Sequence, residues 1–195
     1  MIELGEQIRK ACAGNLIEMK KALSKVTFQP FWTVSIKSKQ LNTKGGIIKI
    51  TDKIPLSDYP VIYKFTCSNL KDLIQLLDTF KAWHTNNKIL TSRVDRVNMA
   101  RWNKTDSLAL YVGSTRCLKA TDFRSRIKQH LGGGNSRTYA MQLSKWHEDL
   151  NYTIVIQAIN VIPHGEKRIT PQLLELIEQS YWDEANPVFG KKAGL

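Results

Sequence analysis

Leu108-Ala109-Leu110-Tyr111-Val112-Gly113 and, after a short link, Asp122-Phe123-Arg124-Ser125-Arg126-Ile127-Lys128-Gln129-His130-Leu131-Gly132-Gly133-Gly134 form the stretch that decides the fold. Residues 108–113 are apolar almost throughout, as a strand covered on both faces would be. Asp122 is a helix-capping residue type, and Phe123, Ile127 and Leu131 then recur on one helical stripe. The glycine run stops that helix, because glycine enters the left-handed conformation of a helix end without steric cost. Arg126 and His130 stand four residues apart, so they stack along one edge of the buried stripe. A strand and a helix joined in this way bring a cation and an imidazole toward the strand's end. Taken alone, the helix reads first as an ordinary amphipathic one with a solvated rim.

Outward from this core, Pro60 precedes Val61-Ile62-Tyr63-Lys64-Phe65-Thr66, a second β-prone run. Ser68 has the chemistry of an N-cap for a helix to about Trp83, within a helical insertion over about 67–106. Downstream, Arg137–Leu150 is expected to be helical, and Tyr152–Ile162, rich in β-branched residues, reads as a third strand. Thr170-Pro171 pairs a capping residue with proline at the first helical position, and that helix runs to about Glu184, with Asn186-Pro187 ending it. The expected class is α+β, a small three-stranded antiparallel sheet flanked by helices. Upstream, residues 4–24 carry Ile8, Leu16, Met19 and Leu23 at helical spacing. Phe31–Ile36 and Ile47–Ile50 read as strands of a β-hairpin turning at Thr43-Lys44-Gly45-Gly46. Residues 1–60 are therefore expected to form an N-terminal accessory region, and 61–195 the main domain.

The chain has 195 residues, 42% hydrophobic and 24% charged, which suits one globular domain with an extension. No apolar run approaches the roughly 18 residues that span a bilayer, and the first residues lack a secretory apolar stretch, so a cytoplasmic protein with no membrane partner is expected. The cysteines, Cys12, Cys67 and Cys117, are odd in number and none lies in a C-x-x-C spacing. Reduced thiols follow from that, not a zinc site. Charge carries the strongest compositional signal: 29 Lys and Arg against 17 acids give +12. Such an excess favours polyanionic partners, since neutralising phosphates releases condensed counterions. The excess is local, with seven bases and one acid, Asp122, between Gly113 and Lys145.

On the helix after Thr170, Leu173, Leu176, Ile177 and Tyr181 form the buried stripe, and Glu178 lies just off its edge beside Trp182. A carboxylate there is half shielded from water, as a hard-cation ligand should be, although a surface glutamate is the commoner case. These pieces together resemble the GIY-YIG nucleases. Leu110-Tyr111-Val112-Gly113-Ser114-Thr115 resembles the second half of that family's signature, and Val61-Ile62-Tyr63 the first, with valine for the usual glycine. Arg126 to His130 is similar to the family's arginine–histidine helix, and Glu178 followed by Pro187 to its metal-binding glutamate and downstream proline. The resemblance covers about residues 60–195, with the segments in the family's order. Three departures stand beside it: the long insertion between Tyr63 and Tyr111, a longer loop between Tyr111 and Arg126, and Gly190 where many members carry asparagine.

What the resemblance implies is a metal-dependent endonuclease hydrolysing phosphodiester bonds, with duplex DNA the leading partner. Tyr63, Tyr111, Arg126, His130 and Glu178 would be catalytic, and Glu178 would hold a single Mg²⁺ or Mn²⁺. Gly113, Lys119, Arg124, Lys128 and Arg137 are candidate nucleic-acid contacts. The departures keep open a catalytically inactive nucleic-acid-binding module, and nothing in the sequence separates DNA from RNA as the target or assigns an oligomeric state. His84, His147 and His164 form no ligand spacing. Trp32, Trp83, Trp102, Trp146 and Trp182 are expected mainly in the core.

Overall fold

The structure, a computed structural model, describes residues 2–89, 96–147, 150–165 and 168–191. Residues 90–95 of the expected insertion and 148–149 of the expected 137–150 helix lie outside the described residues. The order is α1 (Ile2–Leu23), β1 (Val26–Lys37), α2 (Lys39–Asn42), α3 (Gly46–Thr51), β2 (Val61–Cys67), α4 (Leu70–Ile89), β3 (Ala109–Thr115), α5 (Asp122–Leu131), a 3-10 turn (Leu143–Lys145), β4 (Thr153–Pro163) and α6 (Pro171–Ala185). An α+β fold results, but the sheet has four antiparallel strands in the order β1-β4-β2-β3.

The added strand comes from the region expected to be accessory. β1 pairs with β4 along its whole length, from Val26 opposite Pro163 to Lys37 opposite Thr153. Its proline sits at a register break between Pro30 and Trp32 on the sheet's edge, where a missing N–H leaves no ladder bond broken. Because β4 takes this partner, no N-terminal hairpin forms. Residues 47–50, three of them the apolar, β-branched Ile47, Ile48 and Ile50, lie instead in α3, which buries Ile50 and packs against α5. Local β-propensity has yielded to tertiary packing.

Among its described residues, the 137–150 segment is likewise not a helix beyond its 3-10 turn. Gln142 adopts φ 52, and Ala140, Met141, Gln142 and Leu143 are all buried in succession. A helix would turn some of these outward. Here the Gln142 amide donates to the carbonyls of Asn135 and Thr138 at 3.0 and 3.1 Å, and the Trp146 indole donates to that of Met141 at 2.7 Å.

The helix signals elsewhere shift by small steps. α4 is capped by Asn69, whose Oδ1 accepts from the Asp72 amide at 2.9 Å, and it continues to Ile89. The N-cap of α5 is Thr121; Asp122 lies in the first turn and accepts from the Lys119 amide at 3.0 Å. Gly132, at φ 95, closes α5, its amide bonding the Gln129 carbonyl while that of Gly133 bonds Lys128. Thr170 caps α6 through the Leu173 amide with Pro171 next in line.

The sheet separates two cores. On one face Tyr63, Phe65, Phe123, Ile127 and Leu131 are buried together. On the other, α6 sets Leu174 against Ile62 and Val161. β3 is the edge strand, and residues 188–189 cover only its first half, with the amides of Val188 and Phe189 bonding the Ala109 and Leu110 carbonyls. Among the described residues, no strand covers Val112–Thr115 on that side. No helix of the described residues is long and apolar enough to cross a membrane.

Candidate active site

The half-open edge of β3 gathers the chemistry, because strand alternation sends its side chains to both faces of the sheet. Tyr63 on β2 pairs with Gly113, and Phe65 with Tyr111, so Tyr63 and Tyr111 share the α5 face. Ser114, the next residue along, has the opposite parity and meets α6.

Tyr63 is 1% exposed, and its ring lies over Gly113. A β-carbon at Gly113 would stand 2.7 Å from the Tyr63 Oη and 2.8 Å from Tyr111 Cε1. Real β-carbons do not approach so closely. The glycine is thus required for both phenols to occupy this edge, and because it is buried its role lies in that clearance. Gly113→Ala is expected to displace the rings, destabilising the fold by about 1–3 kcal/mol through overpacking. A urea titration beside a Gly14→Ala control would show it, since nothing lies within 4 Å of a β-carbon at Gly14; equal midpoints would remove the claim.

α5 supplies the imidazole and the cation. His130 is fully buried, its ring 4.2 Å from that of Tyr111. Its Nε2 is 3.1 Å from the Tyr63 Oη, and its Nδ1 accepts from the Met141 amide at 3.4 Å. A neutral imidazole with Nδ1 accepting carries its proton on Nε2 and donates it to Tyr63. Burial, aided by Arg126, holds the His130 pKa well below its ordinary value, so the ring stays neutral. The unfolded chain takes up this proton as pH drops below about 6.5, and the folded one does not. Stability should therefore fall on acidification, at up to about 1.4 kcal/mol per pH unit for one proton. Urea midpoints between pH 7 and pH 5 should fall less for His130→Gln than for the wild type; parallel curves would contradict this. His84, also lowered by burial and by Lys88, contributes in the same direction and is common to both proteins.

Arg126 is half-buried and donates to the Gln129 side chain at 2.8 Å. Its charge also acts on the phenols. Burial raises the pKa of Tyr63, Tyr111 and Glu178 add to the rise, and Arg126 opposes it. Tyr111 is raised by burial, with Arg126 again opposing and Glu178 adding. Arg126 itself is held above its usual value, first by Tyr63, against the cost of its own burial.

Across the strand edge, α6 presents Glu178. Its carboxylate accepts a hydrogen bond from the Ser114 hydroxyl. Burial raises its pKa; Ser114 and Arg126 pull it down, and Glu175 pushes it up again. Glu178 and Arg126 feel one another without forming a direct ion pair. Ser114, Thr115, Arg116, Glu175 and Glu178 line a cleft of about 380 Å³; Tyr63, Tyr111, Arg126 and His130 do not line it.

The expected catalytic residues Tyr63, Tyr111, Arg126, His130 and Glu178 thus meet at one strand edge. The expected nucleic-acid contacts do not form a single group. Arg124 donates to the Ile54 carbonyl at 2.6 Å and ties α5 to the segment after α3. Lys128 lies over Gly133 and lines a groove with Ile47 and Ile48. Lys119 and Arg137 are exposed. Asn186 caps α6 at φ 45, and its side chain donates to the Thr105 hydroxyl at 3.0 Å. At Gly190, φ is 118, and a β-carbon would lie 3.2 Å from the Tyr111 ring. Asn103 holds this segment, donating to the Pro187 and Gly190 carbonyls at 2.9 and 3.1 Å.

Ser114 and Asn103 do not stand out in the sequence as site residues. For Ser114 a signal exists, since it follows Gly113 with the parity opposite to Tyr111. For Asn103, in a segment of no readable period, there is none.

Among the described residues no three His, Cys, Asp or Glu side chains gather into a metal-binding group. One half-buried carboxylate beside a hydroxyl nonetheless suits a hard cation that keeps most of its waters, as Mg²⁺ does. No protein-family model, no curated protein and no solved structure matches this chain at a significant level.

Proposed function

We propose that this chain is a divalent-metal-dependent endonuclease of GIY-YIG type that hydrolyses phosphodiester bonds, with duplex DNA as its substrate. The observation that carries this reading is the gathering of a phenol pair, a buried neutral histidine, an arginine and a carboxylate of raised pKa around the half-open β3. Phosphodiester hydrolysis forms a P–O bond from water and breaks the ester P–O bond. Water loses a proton and the departing oxygen gains one.

Glu178, oriented by Ser114, would hold the Mg²⁺ or Mn²⁺, which would supply a water of lowered pKa and polarise the phosphate. Arg126 would brace the non-bridging oxygens, where its planar fork fits and no direct ion pair among the described residues engages it. Tyr111, less buried than Tyr63, would take the proton of the attacking water as a phenolate, after losing its own hydroxyl proton to solvent. Its own raised pKa works against this until a cation enters the cleft. Tyr63 and His130, buried and hydrogen-bonded to each other, would orient Tyr111 and Arg126 or relay a proton, and the departing oxygen would take its proton from water. Glu178 must be ionised to bind metal, and its pKa is raised. Metal affinity should accordingly weaken on acidification sooner than at an ordinary carboxylate.

Supercoiled plasmid, linear duplex, single-stranded DNA and RNA incubated with Mg²⁺ or Mn²⁺, with and without chelator, test the reading. Chelator-sensitive cleavage of duplex DNA is the expected result. Selective cutting of RNA would change the substrate, and intact nucleic acid in every arm would overturn the activity.

A further inference from the structure

A second cleft, of about 90 Å³, adjoins the one beside Glu178, and Arg116 lines both. Arg168, from the segment before α6, lines the second and not the first. Both arginines are exposed, and neither forms an ion pair among the described residues, although Asp58 also lines the cleft. The backbone that carries Arg116 is constrained, because the next residue, Cys117, is buried at φ 48. A cysteine held in the left-handed region costs energy that surrounding structure must offset, and such conformations concentrate where a neighbour must be aimed. Pro171, at the positive end of α6, lines the cleft on the Glu178 side.

We propose that Arg116 and Arg168 form a phosphate-binding position for the nucleic-acid strand that continues past the scissile bond. The inference rests on the nuclease reading for its substrate class. It adds a backbone contact on the α6 side of β3, away from the α5 bases. Guanidinium groups suit the task, since each offers a planar pair of donors to phosphate oxygens. Contacts of this kind fix the register of a strand without reading its sequence. Their removal should weaken binding to any sequence alike.

Binding and cleavage are separated by working without metal in a Glu178→Gln background. Fluorescence anisotropy of a labelled DNA duplex across a salt series gives the slope of log affinity against log salt. Removing one arginine from a phosphate should lower that slope by about one, so Arg116→Gln with Arg168→Gln should lower it by about two. Arg9→Gln, an exposed arginine on α1, should leave it unchanged. An unaltered slope in the double variant, with circular dichroism unchanged, would overturn the proposal, as would the absence of binding to duplex and single strand. Wild-type cleavage is assayed in parallel with metal. If nothing is cut but the slope falls, the phosphate position stands and the nuclease reading fails; cutting with an unaltered slope is the reverse outcome.

Discussion

Glu178→Gln should lower cleavage by roughly 10³-fold while binding of the same DNA changes little, because it removes the group that would hold the cation at the transition state. Glutamine keeps the size and the hydrogen-bonding contact to Ser114 but carries no charge. The carboxylate is buried enough for its pKa to rise, and Glu175 beside it works in the same direction. An uncharged side chain there should therefore fold at least as stably as wild type, and the variant should lose activity without losing structure. Single-turnover cleavage under saturating Mg²⁺, with anisotropy for binding, measures both. A variant that cuts within a few-fold of wild type would exclude Glu178 from the chemistry.

Tyr63→Ala should have the largest effect on stability. The ring is buried against Phe65, Phe123 and Tyr111, at centroid distances of 6.1, 5.7 and 6.3 Å. Truncating an aromatic side chain in such surroundings costs about 3–5 kcal/mol through reduced burial and the cavity left behind. The His130 Nε2–H is also left without its acceptor, and an unpaired buried donor adds to the destabilisation. Tyr63→Phe separates packing from chemistry. It keeps the ring but leaves the same His130 N–H unpaired, so it should cost about 1–3 kcal/mol, and it should lower cleavage by about 10²-fold if the hydroxyl moves a proton. Urea unfolding of both variants beside their cleavage rates makes the comparison. An alanine variant within about 1 kcal/mol of wild type would mean that the tyrosine does not organise this core.

The residues that meet at the β3 edge are legible because each carries a periodic signal. Tyr63, Tyr111 and Gly113 sit in short apolar strand runs, Arg126 and His130 lie on a helix with a clear buried stripe, and Glu178 borders another. Local pattern is enough where the element is amphipathic and capped, as with Thr170-Pro171 at the start of α6. Pairing partners are not written locally. β4 has two edges, and nothing in Val26–Lys37 announces that it fills the outer one. The same competition turns Ile47–Ile50 into α3 once that edge is taken. Arg137–Leu150 misleads for a different reason: its apolar residues serve an irregular buried segment centred on Gln142 at φ 52, which obeys no period. Arg116 and Arg168, distant in sequence, become neighbours only through the fold.

On the nuclease reading, the Tyr63–His130 pair, Tyr111, Arg126 and Glu178 surround one point where a cation and a phosphate meet. Paramagnetic broadening by Mn²⁺ in NMR spectra of the full chain tests this convergence directly. Sub-stoichiometric Mn²⁺ should broaden the ring signals of Tyr111 and Tyr63 and the Arg126 side-chain NH before those of Trp83, and Glu178→Gln should abolish the selectivity. Uniform broadening in the wild type, or selective broadening that survives Glu178→Gln, would contradict it.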